Sequence, residues 1–306
     1  MNINKLLGTK YPILQGGMAN IADGKFAATL SNLGILGTIG TGGMTPKILR
    51  KELEICRTLT DKPFAVNIMM LSEYIDDIVN LLVEYKVPVV TTGAGNPHEY
   101  EEVFRENSIK LIPVISAPGF AVRMERLGAS AVIAEGTEAG GHIGEMTTMT
   151  LIPQVTGQVD MPVIAAGGIG SGKQMAAAEI LGAAGVQIGT GFLFTEECPI
   201  HEDYKKAIMK ASAAKVTVIG HLNGMPIRVL KNNMTRKYKS LEAKGAGLAE
   251  LEQFTLGALR KAVLDGDIKE GSVMCGYTVG QFDKILPAGD FIAKLVDEYE
   301  SYKTGR

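Results

Sequence analysis

The sequence predicts an α/β fold, a (β/α)8 TIM barrel carrying a small, mainly helical insertion after its eighth strand. Three observations carry that reading. Eight short, nearly continuous apolar runs recur at 12–16, 35–39, 64–68, 89–93, 111–115, 131–135, 163–167 and 186–190. Helix-compatible segments lie between them, so the strands run parallel and are buried on both faces. Glycines and polar residues gather just after the runs, at the end where barrels carry their active sites. An open, doubly wound sheet of six or seven strands is the alternative topology.

The runs start 23, 29, 25, 22, 20, 32 and 23 residues apart, room each time for one helix and its turns. Helical spacing covers 46–59, 73–85, 98–107, 120–127 and 174–181. Polar groups follow the strands at Gln15-Gly16-Gly17-Met18, Gly40-Thr41-Gly42-Gly43, Asn67, Thr91-Thr92-Gly93-Ala94-Gly95-Asn96 and across 135–145. From about Cys198 to Val273 the strand rhythm stops and charged helical segments take over. Residues 198–275 therefore read as an insertion into a barrel formed by 1–197 and 276–306. Asp290 is placed to cap a last amphipathic helix over 287–303, with Phe291, Ile292, Leu295, Val296 and Tyr299 on one face.

Composition narrows the partners. The 306 residues hold 31 Lys+Arg against 33 Asp+Glu, a net charge of −2, which argues against a general polyanion surface and a nucleic-acid partner. Cys56, Cys198 and Cys275 lie far apart without a CxxC pair, so neither a disulfide framework nor a zinc site is expected. No metal site is read from the chain. No apolar run reaches membrane-spanning length, and Met1 to Leu7 lacks a signal-peptide stretch. A cytoplasmic protein without a membrane partner is the expectation.

Val163-Ile164-Ala165-Ala166-Gly167-Gly168-Ile169-Gly170 and Val186-Gln187-Ile188-Gly189-Thr190-Gly191 are two strand ends that run into glycines. Such loops let backbone N–H groups approach an anion, and phosphate sites recur after the seventh and eighth strands of barrels. The same glycines would also serve as plain strand-to-helix turns. Gly167 to Gln174 nearly matches the nucleotide-binding pattern GxxxxGK[ST], but Gln174 stands where the Mg²⁺-binding hydroxyl belongs. Ser171 and Gln174 instead suit a helix N-cap with its reciprocal partner, leaving Lys173 a solvated first-turn lysine.

Glu135-Gly136-Thr137-Glu138-Ala139-Gly140-Gly141-His142 follows the sixth run and sets one of only four histidines among glycines. A histidine there can pass protons near neutral pH, or simply be solvated in a loop. Asn67 ends the third run, where its carboxamide can meet a heterocycle edge or close a turn. Gln187 lies within the eighth run and points into the barrel or the packing layer. Arg228, Lys231, Arg236, Lys237 and Lys239 form a basic run with no acidic residue, fit for an acidic partner or a solvated helix face.

The ordered set Gln15-Gly16-Gly17-Met18-Ala19, Pro63-Phe64-Ala65-Val66-Asn67-Ile68-Met69, Thr91-Thr92-Gly93-Ala94-Gly95-Asn96-Pro97, Glu135-Gly136 with Glu138-Ala139-Gly140-Gly141-His142, Ala165-Ala166-Gly167-Gly168-Ile169 and Val186-Gln187-Ile188-Gly189-Thr190 spans nearly the whole chain. It resembles the nitronate monooxygenase/2-nitropropane dioxygenase-like flavoproteins, and among them the FMN-dependent enoyl-acyl-carrier-protein reductase II branch. The resemblance implies non-covalent FMN, with Gly17, Met18, Ala19 and Asn67 at the flavin and Gly140 and Gly141 along the ribityl chain. Gly167, Gly168, Gly189 and Thr190 would hold the phosphate, and Glu135 and Gln187 complete the cofactor set. His142 would be the catalytic histidine and Met274 a substrate-pocket residue. Cys275-Gly276-Tyr277 and Asn20 depart from the branch's pattern and bear on pocket shape.

The implied reaction passes hydride from NADH or NADPH through FMN to the β-carbon of a trans-2-enoyl thioester in fatty-acid synthesis. Enoyl-acyl carrier protein would be the partner, a homodimer the assembly and a monovalent cation a further cofactor. The alternative is a nitronate monooxygenase using FMN and oxygen; a P-loop nucleotide-binding protein is the remote one.

Overall fold

Eight of the apolar runs become parallel strands of one sheet. They are β1 (Ile13–Gln15), β2 (Gly37–Gly40), β3 (Phe64–Met69), β4 (Val89–Gly93), β5 (Lys110–Ile115), β6 (Val132–Glu135), β8 (Val163–Ala166) and β9 (Gly185–Ile188). β7 (Gly141–His142) is a two-residue strand outside this sheet. The computed structural model describes residues 1–304. Neighbours in the sheet follow the order β1-β9-β8-β6-β5-β4-β3-β2. A parallel bridge between Leu14 and Leu36 brings β1 back to β2 and closes the barrel.

Alternation along the strands sorts the core. Leu14, Leu36, Ala65, Val89, Ile112, Ile133 and Ile164 fill the barrel interior, and Ile3 and Leu7 of helix α1 (Ile3–Leu7) pack onto that plug. Val66, Val90, Val132, Ala165 and Val186 face outward into the two shells under the helices. Those helices are α2 (Gly24–Asn32), α3 (Pro46–Leu59), α4 (Ile75–Glu84), α5 (Glu101–Glu106), α6 (Pro118–Arg126), α7 (Thr148–Thr156) and α8 (Gly172–Ile180). α2 and α7 fall outside the helical segments expected from the sequence. Four of the six residues that α2 buries are small, and Pro153 lies inside α7.

The segment 198–275 holds α9 (Glu202–Met209), the antiparallel hairpin β10 (Val216–Ile219) and β11 (Ile227–Leu230), α10 (Asn233–Ala243), α11 (Leu248–Thr255) and α12 (Ala258–Leu264). The hairpin is absent from the sequence reading. Tyr204, Ile208, Ala262 and Val263 from this segment join the barrel's own outer core, while Ile219, Val229, Met234, Tyr238 and Leu251 form a small separate cluster.

The last helix, α13 (Ala288–Thr304), starts ahead of Asp290. Asp290 therefore sits in the first turn, and the Glu197 carboxylate accepts from Ala288 N (2.8 Å) at the start of the helix. α13 lies against α8 closely enough that a Cβ on Gly172 would meet Tyr299 N at 2.3 Å. Among the described residues no helix is long and apolar enough to cross a membrane.

Candidate functional site

Two residues beyond the apolar plug, the interior face of the strands turns polar. Asn67 follows Ala65, Thr91 follows Val89, Glu135 follows Ile133, and Gln187 takes the corresponding place on β9. Above them lies a cavity of about 590 Å³ at the carboxyl ends of the strands. All fourteen residues singled out from the sequence line this one cavity: Gly17, Met18, Ala19, Asn67, Glu135, Gly140, Gly141, His142, Gly167, Gly168, Gln187, Gly189, Thr190 and Met274.

The glycines give the cavity its backbone walls. A side chain on Gly17 would strike Asn67 Cβ at 2.2 Å, and one on Gly140 would strike the Cys275 carbonyl carbon at 2.6 Å. Gly167 (φ +86°) and Gly168 (φ +73°) take a left-handed turn after β8 that other residues rarely adopt. Gly189 differs: its nearest would-be neighbour is Met18 Sδ at 3.9 Å, so its open side faces cavity space. Thr190 Oγ1 accepts from Gly276 N (2.8 Å), tying the segment after Met274 to the end of β9.

The polar side chains are unequally satisfied. Asn67 Nδ2 donates to Thr91 Oγ1 (2.9 Å), leaving its carbonyl oxygen free toward the cavity. Glu138 accepts from Thr148 N (2.9 Å) and Thr148 Oγ1 (2.9 Å), which fixes the start of α7. Burial pushes the Glu135 carboxyl up to about 7. His142 is exposed to the cavity mouth, but the surrounding walls lower its pKa. Cys275 also lines the cavity, and burial pushes its thiol up to about 12, far from nucleophilic thiolate chemistry.

The hairpin missed in the sequence is what places His142. β11 pairs antiparallel with β7, Ile227 opposite His142 and Arg228 opposite Gly141. On the same edge of β11, just beyond β7, a bridge from Val229 to Met274 carries Met274 to the cavity, with Sδ 3.6 Å from where a Gly141 Cβ would be. Tyr204, fully buried, donates to Met274 O (2.7 Å) and holds that turn. The available signal was the alternation in Val216-Thr217-Val218-Ile219 and Ile227-Arg228-Val229-Leu230 around two glycines, Gly220 and Gly224.

Arg228 does not belong to a basic surface. It is 3% exposed, donates through Nε (3.0 Å) and Nη2 (2.6 Å) to Thr137 O, and lies 4.1 Å from the Tyr277 ring centroid. It clamps the loop between β6 and β7, while its Nη1 is buried without a partner. Lys237 pairs with Glu270 (2.8 Å). The remaining cations, Lys231, Arg236 and Lys239, line a separate groove of about 370 Å³ with Thr217, Asn232 and Thr235.

The P-loop reading fails on placement. Lys173 is exposed and reaches over the Tyr302 ring (5.6 Å to the centroid), away from the cavity. Ser171 caps α8 as expected, accepting from Gln174 N (3.3 Å). The Gln174 carboxamide accepts instead from Gly170 N (2.8 Å), one residue earlier than a reciprocal cap requires.

This arrangement matches known proteins along its length. The nitronate monooxygenase family model matches residues 2–80 and 70–298. A "Probable nitronate monooxygenase" of Staphylococcus saprophyticus is 33% identical over 306 aligned positions, covering 85% of this chain and 86% of that protein. FabK from Thermotoga maritima superposes with a TM-score of 0.96 at 44% identity, covering 99% of this chain and 97% of that one. Nitroalkane oxidase from Streptomyces ansochromogenes superposes at 0.89 with 27% identity, covering 99% of each chain. The chain belongs to the nitronate monooxygenase family.

Proposed function

We propose that this protein is an FMN-dependent enoyl-acyl-carrier-protein reductase that draws hydride from NADH or NADPH. The observation that carries this reading is the likeness to FabK over essentially the whole chain, at 44% identity. FMN is the cofactor expected of this family, and the cavity suits it on its own terms. Its volume falls within the roughly 300–1,000 Å³ of small-molecule sites. Two glycine-rich strand ends, β8 and β9, supply a backbone cradle for a phosphate. Gly167, Gly168, Gly189 and Thr190 would hold that phosphate, Gly140 and Gly141 the ribityl chain, and Gly17, Met18, Ala19 and Asn67 the ring. Glu135 and Gln187 offer polar groups from below.

Bound FMN supplies the two-electron hydride chemistry. The protein's own residues position and protonate. Met274 bounds the pocket for the acyl group, and its turn is fixed by Tyr204. His142 moves a proton at its imidazole to the α-carbon of the enoyl thioester. Its lowered pKa makes the imidazolium a stronger acid but leaves it the minor form near neutral pH. The glycine walls exclude water from the reacting face without side chains in the way.

Residues 198–275 act as the substrate-side insertion on the barrel of 1–197 and 276–306. Its groove, with Lys231, Arg236 and Lys239 and no carboxylate in its lining, suits an acidic carrier protein. A homodimer and a monovalent cation complete the reading. Anaerobic reduction of a crotonyl thioester tests it, and absence of turnover with both nicotinamides would refute it. The second reading, nitronate oxidation with oxygen, is favoured by the family model and the nitroalkane oxidase likeness. Oxygen uptake with a nitronate, compared with thioester reduction, separates the two.

A further inference from the structure

Glu135 is the one carboxylate of the cavity that the protein leaves without a donor. It ends β6 on the interior face, opposite Ala166 of β8. Three backbone N–H groups of the loop that follows it are already committed: Gly136 N to Ala166 O, Thr137 N to Met146 O and Ala139 N to Gly136 O. The Arg228 guanidinium is spent on Thr137 O. Glu138, the other carboxylate of the cavity, takes the Thr148 donors. Among the described residues no hydrogen bond reaches the Glu135 side chain. A charged carboxylate in such a place has nothing to replace its water, whereas a carboxylic acid needs only an acceptor.

We propose that Glu135 works as a neutral carboxylic acid that donates a hydrogen bond to FMN, so that filling the cavity takes up a proton from solvent. The inference rests on reading the cavity as an FMN site. A flavin offers ring nitrogens, ring carbonyls and ribityl oxygens as acceptors, and it would strip the remaining water from Glu135. No bond of the cofactor is made or broken, and the proton returns to solvent on release.

The other titratable groups of the cavity are Glu138, His142 and Cys275. Cys275 stays a thiol, and His142, its pKa lowered, is neutral above pH 7. The charged groups of α6, Arg123, Glu125 and Arg126, lie on the helix side of β6, where Glu125 accepts from Asp160 N and Met161 N. α7, β5 and β8 turn no ionisable side chain toward Glu135. The FMN phosphate, with a second pKa of about 6, is already doubly charged at pH 7.5.

FMN is titrated into the flavin-free full chain at pH 7.5 by calorimetry in two buffers of different ionisation enthalpy. The expected uptake is about three-quarters of a proton per FMN, from a carboxyl near 7 becoming fully protonated. Fluorescence titrations from pH 7 to 8.5 should show the dissociation constant of the wild type rising toward tenfold per pH unit. Glu135→Gln, which keeps the donor and the shape, should stay nearly flat. Zero uptake, or proton release, overturns the proposal while leaving the FMN site standing. Absence of FMN binding overturns both.

Discussion

Gly189 is the position where the proposed cofactor site and the stability of the fold come apart. Its backbone is φ −104°, ψ −75°, open to an alanine, and the added Cβ would come no closer to any atom than 3.9 Å from Met18 Sδ. Gly189→Ala should therefore fold with an unchanged melting temperature. The methyl would nevertheless project into the space assigned to the phosphate. Overpacking by one methyl costs about 1–3 kcal/mol, which weakens binding roughly five- to 150-fold. Gly140→Ala is the contrasting control. Its Cβ would lie 2.6 Å from the Cys275 carbonyl carbon and 2.7 Å from Gly276 N, both backbone atoms that cannot rotate away. That variant should lose stability as well as cofactor. Flavin fluorescence quenching and thermal unfolding are measured on both. A stable Gly189→Ala protein that binds FMN as tightly as the wild type would refute the phosphate assignment.

Lys173→Ala should leave FMN affinity unchanged, whereas Ser171→Ala should lower stability by about 1 kcal/mol through loss of the α8 cap; urea unfolding and fluorescence titration read the two effects. Arg228→Ala strands Thr137 O and uncovers Tyr277, and should destabilise the chain by about 2–4 kcal/mol by chemical denaturation. Glu135 gives a pH dependence with a definite sign. Its folded pKa of about 7 lies above the ordinary 4.5, so the flavin-free protein should lose stability as pH rises through that window and level off beyond it. The loss approaches about 3 kcal/mol and should be absent in Glu135→Gln, as unfolding curves at pH 5 and pH 8 will register. His142→Ala should slow thioester-dependent flavin reoxidation in stopped flow but not nicotinamide-dependent reduction.

The barrel was legible because its strands are buried on both faces, which makes each one a dense apolar run bounded by glycine. The cavity glycines were legible for a related reason: at Gly17, Gly140 and Gly167 neighbouring atoms pack where a Cβ would be, so glycine recurs at the strand ends. What escaped was carried by a small three-stranded sheet of very short strands. The β10–β11 hairpin alternates over only four residues a side, too short for periodicity to separate from helix. Arg228 sits inside a basic run, and nothing local distinguishes a cation pinned to Thr137 O from its solvated neighbours. Glu135 was visible as a cavity residue, yet its lack of a donor follows only from where the Gly136, Thr137 and Ala139 N–H groups are spent.

The pairing of β7 with β11 makes the His142 strand an edge shared between the barrel and the segment after it. Two residues of barrel loop have no sheet of their own, so the histidine's heading is borrowed from a hairpin some eighty residues downstream. Lengthening or shortening that hairpin by one residue would shift the alternation and turn a different face of the loop toward the cavity. Reshaping the hairpin therefore re-aims His142 at the same time. A graft of the 198–275 segment alone would reset the heading of His142 without touching the loop that carries it.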